Sequence, residues 1–275
     1  MIRHLLQLIW NQRKQNAWLW AELLLVSVFL WFLVDYLYVM GRTYTAPLGF
    51  DIRHTYSIVI SSLSERSPDY IPKEKRERPD GVHLLTALDR IRTYPGVESA
   101  CLTDGGMPYY MGSRNLVWRI DTLQVPCRYA FVTPEFFDVF RIYDKDGKTA
   151  SLKRAIEDNN SIVISADVET MNPGLSLLGQ KAYRGNVTDE IEETIRGISV
   201  PIRRHEYTKA EPNVYRALRL SRMEEGYYEG MIDAVRLCVR VRPDVDNADF
   251  PARFRKDMAE QLRLGNLYLL DVQPL

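Results

Sequence analysis

Three stretches of the sequence contain residue types that support catalysis, but none has the spacing that the chemistry requires. DGKTA at 146–150 holds a Gly-Lys-Thr triplet, yet a phosphate-binding loop needs another glycine five residues before Gly147, where Ile142 stands. GLSLLG at 174–179 is not a G-x-S-x-G nucleophile turn, because its second glycine comes one residue late. DEIEE at 189–193 is typical of a solvated acidic face. The first stretch is better explained as a hairpin turn.

A metal site is predicted to be absent as well. The sequence has no H-x-x-x-H and no C-x-x-C pair, so its histidines and cysteines have no metal-site spacing. The three cysteines leave at least one unpaired, and the sequence does not say which two would form a single bridge. We therefore predict no enzyme, no metal and no cofactor in this chain. The residues concerned are His4, His54, His83, His205, Cys101, Cys127 and Cys238.

Composition excludes another class of function. Charged residues make up 26% of the chain and the net charge is zero, so no basic surface is predicted to attract nucleic acid. Residues 41–275 have the composition of an ordinary globular domain and enough length to bury one large core or two smaller ones.

The apolar run Trp18–Met40 predicts a membrane span over residues 17–40. Its 23 residues would extend roughly 34 Å as a helix, enough to cross the hydrocarbon core of a bilayer. A cleaved signal has a shorter apolar stretch followed by a small-residue cleavage site, and no such site follows here. Aromatic residues lie at both ends, as in interfacial belts. The run is therefore interpreted as an uncleaved span.

Basic residues before the span predict its orientation and a surface helix. Arg3, Arg13 and Lys14 precede the span with no acidic residue among them, which places the N-terminus in the cytoplasm. Residues 1–16 also alternate apolar and polar positions with helical spacing, which predicts an amphipathic helix lying on membrane lipid.

Two carboxylates lie at the edges of the predicted span. Glu22 and Asp35 either reach the headgroup region or face a partner helix. Their edge positions favour the headgroup interpretation, and both alternatives stay open from sequence.

The first and last parts of the remaining chain each predict a strand, a helix and a strand. In the first, Tyr56, Ile58 and Ile60 alternate along a strand, and Val82, Leu85, Leu88 and Ile91 form the stripe of a helix that Asp80 caps. In the last, Asp249 caps a helix with Pro251 in its first turn and with Phe254, Met258 and Leu262 on its stripe. The predicted core therefore comprises residues 41–104 and 221–275.

Residues 105–220 predict a different, mostly β region inserted into that core. Short strands are expected in NLVWRID, VPCRYAFV, SIVIS and ISVPIRR. VTPEFFDVF predicts a short helix that buries Phe136, Phe137 and Phe140. The fold class is therefore α+β: one transmembrane helix, a two-lobed domain of βαβ-like units and an inserted β-rich subdomain.

Several motifs in this order resemble the MacB/FtsX-type ABC transporter permeases. They are the basic N-terminus with one span, YPGVES at 94–99, VTPEFFDVFRIYDKDGK at 132–148, SIVISADVETMNPGLSLLGQ at 161–180 and the closing RFRKDMAEQLRLGNLYLLDVQPL. The resemblance implies a two-lobed periplasmic core domain with a β-rich insertion, in a bacterial inner-membrane protein whose residues 41–275 are periplasmic.

The resemblance also implies a function and partners. Such permeases couple ATP hydrolysis by a partner ATPase to a conformational change outside the membrane, for export or extraction of lipoproteins, peptides or toxic compounds. The expected partners are the ABC ATPase, a second permease copy or homologue forming a dimer, membrane lipid, and a periplasmic or outer-membrane protein. ATP would be bound by the partner, and the binding surface is unknown.

One departure from the pattern leaves an alternative open. Permeases of this kind continue into further spans after the external domain, whereas this sequence ends at Leu275, so we expect it to be truncated before them. The alternative is a single-pass, membrane-anchored periplasmic receptor or ligand-binding protein. Residues 1–16 are short for a signalling output, which favours the permease.

Overall fold

The chain divides into two compact units. The computed structural model describes Arg3, Trp10 and the ranges 17–110, 112, 114–185 and 190–275. One unit contains the N-terminal helix and the short segment Glu206–Thr208. The other, called the main domain, comprises Leu48–His205 and Lys209–Leu275.

The N-terminal unit is built on one long apolar helix, α1 (Ala17–Thr45). None of its residues is buried, so its large apolar side chains are exposed on every side. Within the described part of the chain, α1 is the one helix long and apolar enough to cross a membrane. The predicted span of 17–40 is thus contained in a helix that continues five residues farther.

The predicted surface helix over 1–16 falls almost entirely outside the described residues. Arg13 and Lys14 are among those outside. Arg3 and Trp10 have helical backbone and exposed side chains. The amphipathic helix stays a prediction.

Four strands and two helices from the two ends of the main domain interleave. They are β1 (Thr55–Ser62), α2 (Asp80–Arg92), β2 (Val97–Asp104), β9 (Val235–Val241), α7 (Phe250–Met258) and β10 (Leu267–Pro274). The strands run antiparallel in the order β10-β1-β9-β2. Each strand–helix–strand unit therefore has a strand of the other unit between its own two strands, which is the split βαβ arrangement of ferredoxin-like folds. The predicted strand–helix–strand order is confirmed at both ends.

The α2 helix buries part of the predicted face. The predicted stripe residues Leu88 and Ile91 are buried, whereas Val82 and Leu85 are only half-buried. Leu84 and Ala87 complete the buried face. Apolar side chains occupy both phases of this helix, so the spacing alone did not fix which phase faces the sheet.

The start of α2 also differs from the prediction. Pro79 is the N-cap, and Asp80 is the first helical residue, with its buried carboxylate paired to Arg76 at 2.9 Å. The carboxylate therefore serves an ion pair near the helix start and does not cap it.

The closing helix α7 follows most of its predicted pattern. Asp249 occupies the N-cap position but its side chain makes no capping hydrogen bond, and proline lies in the first turn. Phe254 and Met258 are buried on the helix, and Leu262 is buried just beyond its end. Phe254 packs edge-on against Tyr94 with ring centroids 4.8 Å apart. Such an aromatic pair adds stability beyond that gained from the buried apolar area.

The middle of the chain forms a closed ring of six strands. These are β3 (Arg114–Ile120), β4 (Leu123–Val132), β5 (Ser161–Ser165), β6 (Lys181–Arg184), β7 (Ile191–Ser199) and β8 (Asn213–Ala217). Their order is β4-β3-β6-β7-β5-β8, and β8 pairs with β4 in parallel to close the ring. A closed ring leaves none of its strands with a free edge. Its interior is packed by Trp118, Ile120, Val125, Cys127, Ile162, Ile164, Ala182, Ile195 and Val214.

The ring joins the interleaved strands through β2 and β4. This ladder has two residue pairs, Thr103 with Val132 and Asp104 with Phe131. All ten strands therefore belong to one sheet, and the predicted boundaries at 104/105 and 220/221 stay a prediction.

Short helices complete the main domain. They are α3 (Phe136–Val139), α4 (Ala150–Ala155), α5 (Asp167–Met171) and α6 (Leu220–Glu224), with 3-10 turns at Lys73–Lys75 and Ile232–Ala234. The predicted burial of Phe136, Phe137 and Phe140 is confirmed. A turn is present in RIYDKDGKTA at 141–150, where the Asp144 N–H donates to the Lys148 carbonyl, but the chain continues into α4 instead of a second hairpin strand.

A buried arginine on β9 connects separate parts of the main domain. Arg240 is fully buried, and its guanidinium donates to the carbonyls of Val139 at 2.7 Å, Arg53 at 2.7 Å and Asp51 at 2.5 Å. These carbonyls belong to α3 and to the segment that leads into β1. Burial lowers the pKa of Arg240, and its three hydrogen bonds replace the water that it loses.

The corrected face of α2 leads to a direct test. Leu84→Ala should lower the free energy of unfolding by about 2–5 kcal/mol, because it empties a fully buried site. Leu85→Ala, one residue along the same helix, should cost roughly half as much or less, because Leu85 is only half-buried. Urea unfolding of the full chain in detergent measures both. A larger loss for Leu85→Ala would show that the predicted stripe was right after all.

Candidate functional site

One end of the six-stranded ring opens into a charged cavity of about 270 Å³. We call it the arginine mouth, because arginines from three strands and from the segment after β8 surround it. Aromatic rings and a few aliphatic side chains line the rest. The lining residues are Arg114, Leu116, Tyr129, Phe131, Arg184, Ile191, Arg216, Ala217, Arg219, Arg222, Tyr227 and Tyr228.

Strand register brings these residues to one end of the ring. Arg114 begins β3 and lies opposite Tyr129, while Arg184 ends β6 and lies opposite both Trp118 and Ile191. The parallel pairing of β8 with β4 sets Arg216 opposite Phe131. Side chains alternate along each strand, so Arg216 shares the face of the core residue Val214.

A buried carboxylate holds the deepest arginine in place. Glu193 is 1% exposed and accepts from Arg216 Nε at 2.7 Å and Nη2 at 2.5 Å. Trp118 Nε1 donates to the same carboxyl group at 3.3 Å. Arg184 Nε lies 3.4 Å from Glu193 and is buried without a hydrogen bond to any described residue. Glu193 therefore fixes Arg216 but leaves a donor of Arg184 unsatisfied.

A second carboxylate orients the outer arginine. Arg114 pairs with the buried Asp104 at 2.9 Å, and Tyr228 donates to Asp104 at 3.5 Å. The ring of Phe131 lies 4.9 Å from the guanidinium carbon of Arg216 and 5.9 Å from that of Arg114. One aromatic ring thus attracts both guanidinium groups.

Positive charge exceeds negative charge in the arginine mouth. Burial lowers the pKa of Arg216; Glu193 opposes this shift, and the neighbouring charges of Arg184 and Arg219 add to it. Burial also raises the pKa of Asp104, and Arg114 and Tyr228 oppose that shift only in part. Five guanidinium groups face two carboxylates among the described residues, which makes the cavity suited to an anion.

No pattern in the sequence indicated this cavity. Its arginines are spread over more than a hundred positions, and they meet only because the ring closes through β8 and β4. An inward-facing basic residue can be recognised in a strand whose buried and exposed residues alternate. Four of the five β8 residues are buried, so no such alternation showed on which face Arg216 lies.

The residues singled out from the sequence lie elsewhere. Glu22 and Asp35 are both exposed on α1, and the choice between headgroup and partner helix stays open. His54 pairs with Asp246, and His83 is half-buried on α2. No group of three or more potential metal ligands occurs among the described residues.

The cysteines have a definite arrangement. Cys101 on β2 and Cys238 on β9 lie opposite each other in the strand ladder, and both are fully buried. Cys127 belongs to the interior of the ring. Burial raises the pKa of the Cys101 thiol well above its usual range, and the neighbouring Cys238 thiol adds to the shift. All three cysteines are free thiols in this structure, and Cys101 and Cys238 are the two that lie next to each other.

Comparison of structures identifies the fold of the main domain. A crystal structure of a domain assigned to a permease protein from Porphyromonas gingivalis matches with a TM-score of 0.53 and 18% identity, over 81% of this chain and 90% of that one. This chain shares that fold. The agreement confirms the fold that the sequence resemblance implied, and at this identity it shows the fold alone.

Two further structures match less well. The periplasmic region of MacB from Actinobacillus actinomycetemcomitans gives a TM-score of 0.45 at 9% identity, covering 84% of this chain and 94% of that one. The extracellular domain of the noncanonic ABC-type transporter YknZ from Gram-positive bacteria gives 0.44 at 12% identity, covering 78% and 100%. No protein-family model and no curated protein matches the sequence.

The buried carboxylate of the arginine mouth provides a stability test. Glu193→Gln should lower the free energy of unfolding by about 3 kcal/mol, because it leaves the buried Arg216 without its counter-charge. Glu192→Gln is the matched control: Glu192 is half-exposed and pairs with the exposed Lys181, so its loss should cost less than about 1 kcal/mol. Equal melting curves for the two variants would mean that Glu193 does not hold Arg216.

Proposed function

We propose that this chain is a permease subunit of an ABC transporter. Support comes from two independent features: α1, whose apolar surface is exposed on all sides, and a main domain with the fold of the Porphyromonas gingivalis permease domain. An apolar helix without a protein partner is stable in lipid, because its backbone bonds are satisfied within the helix. The fold likeness is the observation that carries the proposal.

In this proposal the main domain works through a conformational change. A partner ATPase would supply the energy, as the resemblance to ABC transporter permeases implies. The chain would assemble with a second permease copy or homologue, with membrane lipid around α1 and with a periplasmic or outer-membrane protein. Its cargo would be a lipoprotein, a peptide or a toxic compound.

A second candidate function has its own support. The arginine mouth is a concave, charged cavity of the kind that binds ligands, which favours a membrane-anchored periplasmic receptor or ligand-binding protein. The two functions differ in their partners: a permease needs an ATPase, and a receptor of this kind does not.

Purification from native membranes distinguishes these candidates. An antibody against residues 41–275 should isolate the chain together with an ABC ATPase, and the complex should hydrolyse ATP. The immunoblot should show a band above the 32.0 kDa of this sequence, because a permease continues into further spans. Isolation without an ATPase and a band at 32.0 kDa would overturn the permease proposal in favour of the receptor. An unrelated single-span protein from the same membranes serves as the control.

The proposed location requires the main domain to be periplasmic and the N-terminus cytoplasmic. Ser64→Cys, at an exposed position of the main domain, should react in whole cells with a thiol reagent that crosses the outer but not the inner membrane. Gln15→Cys should react only after the inner membrane is lysed. The unaltered chain is the control, because its three cysteines are buried. Labelling of Gln15→Cys alone in whole cells would show the opposite orientation.

A further inference from the structure

We propose that the arginine mouth binds a small polyanion through its phosphate groups. This inference goes beyond the transport function and does not depend on it, because binding at the cavity needs neither an ATPase nor further spans. Five arginines, two fixed carboxylates and four aromatic rings carry the argument.

The charge of the site selects for more than one negative charge. The five guanidinium groups exceed the two carboxylates by three positive charges among the described residues. A single carboxylate would neutralise one of them, whereas one phosphate monoester carries about 1.5 to 2 negative charges at neutral pH. A diphosphate, or a phosphate beside a second acid, therefore matches the excess best.

The arginines are arranged to donate to such a ligand. Arg219 and Arg222 form no ion pair with any described residue, and Arg184 Nε is buried without a hydrogen bond. Arg216 and Arg114 are already oriented by Glu193 and Asp104. Planar guanidinium groups bind phosphate oxygens in pairs, and groups that are fixed beforehand lose little freedom on binding.

The remaining wall accommodates an apolar or planar part of the ligand. Tyr129 and Phe131 pack edge-on with centroids 5.8 Å apart, and Tyr227 and Tyr228 do so at 5.1 Å. Arg222 stacks over the ring of Tyr227 at 5.0 Å. At about 270 Å³ the cavity fits a compact anion or a lipid headgroup but not a whole lipid.

Two kinds of ligand present the same phosphate chemistry: a soluble phosphorylated molecule and the headgroup of an anionic phospholipid. Two probes separate them. Inorganic pyrophosphate presents the phosphates alone, and dihexanoyl phosphatidic acid presents a phosphate with short chains. Dihexanoyl phosphatidylcholine, whose headgroup has no net charge, is the control ligand.

The experiment is isothermal titration of the full chain in neutral detergent. We expect at least one anionic probe to bind, phosphatidylcholine not to bind, and affinity to fall as salt rises. Arg219→Gln with Arg222→Gln should weaken binding by roughly tenfold or more, because it removes charge-assisted hydrogen bonds. Arg66→Gln with Arg154→Gln is the matched control, since it removes two exposed arginines that form no ion pair with described residues.

Each outcome bears on the proposal. Binding of pyrophosphate alone assigns a soluble phosphate, binding of phosphatidic acid alone assigns a lipid headgroup, and binding of both shows that the phosphate suffices. Failure of both probes, equal binding of phosphatidylcholine, or equal weakening in the two double variants would overturn it. If the first double variant unfolds, Arg219→Lys with Arg222→Lys replaces it. That variant keeps the charge but loses the paired geometry, so unchanged affinity would again overturn the proposal.

Discussion

The guanidinium group of Arg240 is the interaction on which the arrangement of the main domain depends. It is fully buried on β9, and it bonds to backbone carbonyls of α3 and of residues 51–53. On the same strand, Val239 and Val241 face the core beneath α2 and α7, while Cys238 belongs to the core around the phenylalanines of α3. Arg240 therefore fixes the segment before β1 and the α3 turn to the strand that lies between β1 and β2.

Main-chain carbonyls are demanding partners for a buried charge. A carboxylate would neutralise Arg240, but it would bind in only one or two directions, whereas three carbonyls from two segments fix the position of each segment. Replacing Arg240 by an apolar residue would leave those carbonyls without donors inside the protein, which costs free energy at each of them. The cost of burying this arginine is thus tied to the specificity of the fold. Arg216 differs, because the buried carboxylate of Glu193 neutralises it.

Sequence patterns predicted the helices and strands whose position depends only on their own residues. The alternation of Tyr56, Ile58 and Ile60 indicated β1, and Asp249 with the spacing of Phe254 and Met258 indicated α7. The phase of α2 was not determined locally, because Leu84 and Leu85 are both apolar and only the sheet decides which one it covers. The arginine mouth depends entirely on register between distant strands, so no window of the sequence contains it. Whether Glu22 and Asp35 face lipid or protein likewise depends on what surrounds α1.

The short ladder between β2 and β4 has a structural consequence. Two residue pairs connect the six-stranded ring to the interleaved strands, whereas β2 and β9 share seven pairs and β3 and β4 share seven. Backbone hydrogen bonds are therefore fewest where the ring meets the interleaved strands. Side-chain packing supplies much of the contact at that junction, because Cys101 and Cys238 share one core cluster with Val132 and the α3 phenylalanines. The junction thus depends on the shape of its side chains more than on strand pairing, so a change of side-chain volume there would be felt in both parts of the sheet.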